Sequence, residues 1–148
     1  MRPLLILLSF ILSTQLAFAA DTLEVSEPYA RATPPNAPTS AIFLSMHNTS
    51  EQAISLISAS TPAAGRVELH TMLMDGDIMQ MRQVRQIEVP AKGTIELKPG
   101  GFHLMLFDLQ KAFVEGEQLQ LYLNFSDGSQ QHLNVPVKNV MAMMKMTQ

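Results

Sequence analysis

Cysteine is absent from the 148-residue chain. That single absence excludes disulfides, thiolate nucleophiles, iron–sulfur clusters, zinc–thiolate sites and thiolate-ligated blue-copper centres. Positive charge is scarce too. Ten Lys and Arg against 13 Asp and Glu leave a formal charge of −3, and without clustered cations there is no electrostatic footprint for nucleic acid. Helical periodicity is hard to find, and no apolar run approaches the roughly 20 residues that span a bilayer as a helix. What remains, 47% hydrophobic and 16% charged residues, is the composition of one globular domain. Methionine is in excess, 11 residues where ordinary usage would give about three.

The start of the chain reads as an export signal. Met1-Arg2 is a short positive head, Leu4 to Leu12 is apolar except for Ser9, and Ala17-Phe18-Ala19 is a small-x-small cleavage pattern. Residues 1–19 are expected to be removed after Ala19, leaving an exported domain over 20–137 and a Met-rich tail over 138–148.

Short segments rich in Val, Ile, Leu, Phe and Thr alternate with Gly, Pro, Asn and Asp, which predicts an all-β domain, an antiparallel sandwich or Greek-key barrel. Strands are expected over Leu23–Ala30, Ser40–His47, Ile54–Ser60, Arg66–Met74, Ile78–Val84, Thr94–Leu97, His103–Leu109, Leu119–Phe125 and Gln130–Val137. Pro34-Pro35-Asn36-Ala37-Pro38 reads as a stiff loop and Pro99-Gly100-Gly101 as a turn.

The hairpin between Arg66 and Val84 carries the chemistry. Side chains alternate along a strand, so His70, Met72 and Met74 share one face while Val67, Leu69 and Leu73 share the face expected to meet the core. An Asp75-Gly76 turn, the favoured two-residue dipeptide, sets Met72 opposite Met79 and His70 opposite Met81. A Gly76-Asp77 turn sets Met74 opposite Met79 and Met72 opposite Met81. Parity is the same in both registers, so imidazole and thioethers gather on one face. His103 and Met105, two apart in a later strand, also point one way.

Neutral imidazoles and thioethers form a soft, uncharged donor set that favours Cu(I) over Zn, Mg, Ca or Mn, and it lacks the tetragonal N and O ligands that Cu(II) prefers. The histidines must be deprotonated to bind, so affinity is expected to fall below the ordinary His pKa of about 6.5.

The four residues His70, Met81, His103 and Met105 are spaced His-x10-Met-x21-His-x-Met. In this the chain resembles the periplasmic copper chaperones of the PCuAC type, with no departure from that family's spacing. The segments Arg66–His70 and Lys98–Met105 look like the family's too. The resemblance implies a cupredoxin-like Greek-key β-barrel, monomeric and periplasmic. It implies one Cu(I) per chain on those four residues, and delivery to the CuA domain of cytochrome c oxidase subunit II, often alongside Sco-type copper proteins. The destination comes from the resemblance alone.

Other readings stand beside it. Met72, Met74 and Met79 admit three roles: auxiliary thioethers, an apolar docking rim, or packing. Met141, Met143, Met144 and Met146 admit extra copper binding, which would make the protein a copper buffer or tolerance factor without a dedicated acceptor. A third reading makes the Met-rich face a sink for oxidants. His47 and His132 have no ligand at suitable spacing and read as structural or surface residues. The carboxylates are scattered, and no Ser/His/Asp constellation or nucleophile elbow is visible, so an enzyme is not expected. The sequons at Asn48-Thr49-Ser50 and Asn124-Phe125-Ser126 read as turn chemistry.

Overall fold

The computed structural model describes residues 22–140; the expected leader and Met141 to Met146 lie outside them. Ten strands run in chain order: β1 Leu23–Arg31, β2 Thr39–Asn48, β3 Ile54–Ser60, β4 Ala64–Asp75, β5 Ile78–Gln83, β6 Ile87–Val89, β7 Thr94–Leu97, β8 His103–Leu109, β9 Gln118–Phe125 and β10 Gln130–Lys138. Nine answer to the sequence pattern. The tenth, β6, is three residues long, too short for alternation to register, but it pairs with β3 and buries Ile87 and Val89.

The strand order is β5-β4-β8-β2-β1-β10-β9-β3-β6, with β7 also paired to β2. All pairings are antiparallel except β1 with β10, where Ala30 meets Val137 and Arg31 meets Lys138. The two halves of the sheet bury their inner faces against each other in one apolar cluster. β9 shows why: Leu119, Leu121, Leu123 and Phe125 are buried while the residues between them face out, the period of a half-buried strand. From the other half come Ile42, Leu44 and Met46 of β2, Leu69 of β4, and Leu104 and Leu106 of β8.

Strand β2 is buried on both faces from Ser40 to Leu44. Its even-numbered apolar residues enter the core. Ala41 and Phe43 cover the opposite, outer face, where Phe43 packs against Tyr29 with ring centres 5.1 Å apart. A second, smaller layer therefore exists outside the main core, and the candidate site lies in it. Asn48 closes the far end of β2. Fully buried, it donates to the carbonyls of Gln52 and Val89 and accepts from the backbone and hydroxyl of Ser50, which is the turn chemistry expected of that sequon. Asn124, by contrast, sits inside β9 and bonds across to Ser58, so the turn reading does not hold there.

Candidate metal centre

Strand pairing assembles the site. β4 lies between β5 and β8, and the register places His70 directly opposite His103, Glu68 opposite Met105, and Met72 opposite Met81. Opposed residues share a face, so Arg66, Glu68, His70 and Met72 of β4, Met81 of β5, and His103, Met105 and Phe107 of β8 form one surface, the outer one. Leu69 and Leu104, opposite each other one residue away, point into the core.

The hairpin takes the Gly76-Asp77 register, not Asp75-Gly76. Asp75 pairs with Ile78, Met74 with Met79 and Met72 with Met81, while His70 faces Gln83. Of the two central residues only Gly76 has a positive φ, 63°; glycine first with a positive φ is the type II′ arrangement. Met81 thereby reaches His70 diagonally instead of across the strand.

Leu73 departs from expectation as well. It is on the core-facing side, but the hairpin projects past the edge of the core and leaves Leu73 half exposed.

Met81, His103 and Met105 line a cleft of about 290 Å³, together with Met72, Phe43 and Arg31. His70 adjoins it through His103, with ring centres 5.8 Å apart. The sequence pattern puts His70 on the face away from Val67, Leu69 and Leu73, and the β4–β8 pairing adds His103 to it. Both histidines are on that face but buried, 9% and 4% exposed, because Phe107 and Phe43 pack beside them at 6.1 and 6.4 Å. Met81 is 45% exposed and Met105 half-buried. The site thus has a closed imidazole end and an open thioether end.

Hydrogen bonds fix which nitrogen of each ring is free. His103 Nδ1 lies 3.0 Å from the carbonyl of Gly101. A carbonyl only accepts, so Nδ1 carries the proton and Nε2 keeps its lone pair. His70 Nε2 lies 2.9 Å from a carboxylate oxygen of Glu68, so the proton sits there and Nδ1 is free. Those two atoms, His70 Nδ1 and His103 Nε2, are the buried side-chain polar atoms without a partner among the described residues. Burial of an unpaired acceptor is costly, and such an atom is suited to hold a ligand.

The surroundings of His103 favour the uncharged ring. Burial holds the His103 imidazole below its ordinary pKa, and the neighbouring His70 and Arg31 push the same way, against the Gly101 carbonyl. Glu68 is held below the usual carboxylate range, first by its hydrogen bond from His70 and further by Arg66. Arg66 Nε bonds the other Glu68 oxygen at 2.8 Å and its guanidinium stacks over Phe107, 4.4 Å from the ring centre. Arg66, Glu68 and His70 make a relay that sets one ring. Carboxylate and carbonyl partners of this kind orient metal-binding histidines. Sequence reasoning missed Glu68, although its parity with His70 already placed both on one face.

Among the described residues no group of three or more His, Asp or Glu side chains could hold a metal ion; the soft side chains nearest His103 in the cleft are the thioethers of Met72, Met81 and Met105. Two neutral nitrogens and thioether sulfur form a soft, uncharged cradle, which fits Cu(I). His47 bonds Thr94 at 2.9 Å and His132 stacks on Tyr122 at 4.6 Å; both are structural, as expected.

Residues 23–137 match the family described as "Putative lipoprotein LpqE-like". "Putative lipoprotein Lxx21020" of Leifsonia xyli subsp. xyli (strain CTCB07) is 31% identical over 121 residues, 81% of this chain and 72% of that protein. The solution structure of CuI-DR1885 from Deinococcus radiodurans superposes with a TM-score of 0.64 at 28% identity, covering 86% of this chain and 83% of that one. The copper-bound PCuAC domain from PmoF2 superposes with a TM-score of 0.71, covering 82% of this chain and 97% of that one; at 18% identity this shows a shared fold. The chain belongs to the LpqE-like family, the PCuAC family that its motif resembles.

Proposed function

We propose that this protein is an exported Cu(I) carrier. It takes one ion on His70 Nδ1, His103 Nε2 and the sulfurs of Met81 and Met105, and hands it to the CuA domain of cytochrome c oxidase subunit II, with Sco-type proteins as further partners. One observation carries the reading: two buried imidazole nitrogens, on neighbouring rings whose other nitrogens are already committed, lie unpartnered, and the His103 ring lines a cleft with Met81 and Met105. The solution structure of CuI-DR1885 supports the choice of metal, and relatives named as lipoproteins support export to the periplasm. The ion is cargo. Thioethers at the open end release it by ligand exchange, one sulfur at a time, to an acceptor with stronger thiolate donors, and its oxidation state does not change.

The test is an anaerobic Cu(I) competition titration against a chromophoric chelator, run on residues 20–148 and on the His70→Ala/His103→Ala variant. One tight equivalent, lost in the variant and passed to an apo-CuA domain when mixed, is the expected result. Equal weak binding in both overturns the site. Retention of copper in the presence of the apo-CuA domain overturns the delivery and leaves a buffer.

A further inference from the structure

Four methionines form a two-by-two array on the outer face of the β4–β5 hairpin. Met72 is opposite Met81 and Met74 is opposite Met79. Directly opposed residues on one face have Cβ atoms about 5 Å apart, and the two rows are separated by two residues of strand, about 6.5 Å, within reach of flexible Met side chains. The inner row lines the cleft with His103 and Met105; the outer row lies beyond it. Packing does not explain the outer row, because Met74 is 63% and Met79 51% exposed. An apolar docking rim does not need sulfur, and Leu73 and Ile78 already expose carbon on the opposite face of the same hairpin. No acidic side chain joins the array: Asp75 is on the other face, opposite Ile78, and Asp77 is in the turn.

We infer that Met74 and Met79, with Met72, form a second Cu(I) site made of thioethers alone. It rests on the carrier reading for the identity of the ion and for the imidazole site to which the array leads. Lacking imidazole, it binds more weakly than the His70/His103 site, and standing in solvent at the hairpin tip, it is where an incoming donor or acceptor first touches the ion. Copper passes along the ladder from the Met74/Met79 row to the Met72/Met81 row and then to the imidazoles, and leaves in reverse. Each step exchanges one soft ligand for another without electron transfer.

The experiment follows ¹³C-labelled methionine methyl resonances of residues 20–148 during an anaerobic Cu(I) titration, in the unaltered chain and in Met74→Leu/Met79→Leu, which keeps the apolar surface and removes the sulfur. The expected result is a first equivalent that moves Met81 and Met105. A second, at least about tenfold weaker, then moves Met72, Met74 and Met79. The double variant loses the second response at Met72 and keeps the first affinity within about twofold. Unmoved Met74 and Met79 methyls overturn the inference, including the case in which the second equivalent moves only Met141, Met143, Met144 and Met146. So does an unchanged Met72 response in the variant. Failure of the carrier reading looks different: the hairpin methyls respond while the His70 and His103 ring resonances stay unmoved at every copper level.

Discussion

Glu68 accepts a hydrogen bond from Nε2 of His70 at 2.9 Å while Arg66 holds its other carboxylate oxygen at 2.8 Å. The bond determines that Nδ1 is the nitrogen His70 keeps free. Removing the carboxylate frees the ring to change tautomer and to rotate. Glu68→Ala is expected to weaken Cu(I) binding by about 10–100-fold. Glu68→Gln, whose amide oxygen still accepts the proton, should lose less. Competition titration of both variants checks the order, and equal affinities would remove Glu68 from the site.

Met81 and Met105 bind the same ion in this scheme but should respond differently to truncation. Met81 is on an edge strand and 45% exposed, so Met81→Ala should change apo stability by no more than about 0.5 kcal/mol. Met105 is half-buried, between Glu68 of β4 and Ala41 of β2. Met105→Ala should cost about 1–2 kcal/mol, less than the 2–5 of a fully buried methionine. Urea unfolding of the apoproteins measures both, and each variant should lose Cu(I) affinity.

Apo stability should fall in mild acid. His103 has a folded-state pKa below its ordinary value of 6.5, chiefly through burial. Below 6.5 the unfolded chain takes up a proton that the native ring refuses, so the unfolded state gains. The loss begins as pH drops through 6.5 and stops growing once it passes the lowered folded value. Unfolding curves from pH 7.5 to 5 should show this slope, and His103→Gln should flatten it. An unchanged slope in the variant would place the titration elsewhere.

Asn48 is a structural keystone with no metal role. Asn48→Ala leaves the carbonyl of Val89, in the short strand β6, without its side-chain donor and frees the Ser50 turn. A cost of about 2–4 kcal/mol is expected from the lost bonds and the buried group left unpaired. Thermal unfolding should report it, with Cu(I) affinity of the folded fraction unchanged.

Much of this was legible because alternation is a strong code. Leu119, Leu121, Leu123 and Phe125 announce a half-buried strand, and parity puts His70 with Met72, and His103 with Met105, on one face of its own strand; that the two pairs share a face comes from the β4–β8 pairing. Register was not legible. Asp75-Gly76 and Gly76-Asp77 are both acceptable turns, and only the fold decides that Met81 faces Met72 and not His70. Burial of the imidazoles was hidden too, since it comes from Phe43 on β2 and Phe107 on β8, side chains brought in by long-range pairing. Strand β6 escaped because three residues carry too little pattern.

The parallel seam between β1 and β10 bears on timing. Only two residue pairs, Ala30 with Val137 and Arg31 with Lys138, join the first strand to the last. Contacts so distant in sequence are slow to form because a long loop must close first. Nothing can close this seam until Lys138 has emerged, whereas β4, β5 and β8, which carry the site, pair over residues 64–109 without it. The face that holds the histidines is therefore the local part of the fold, free to pair before the two ends of the chain have met.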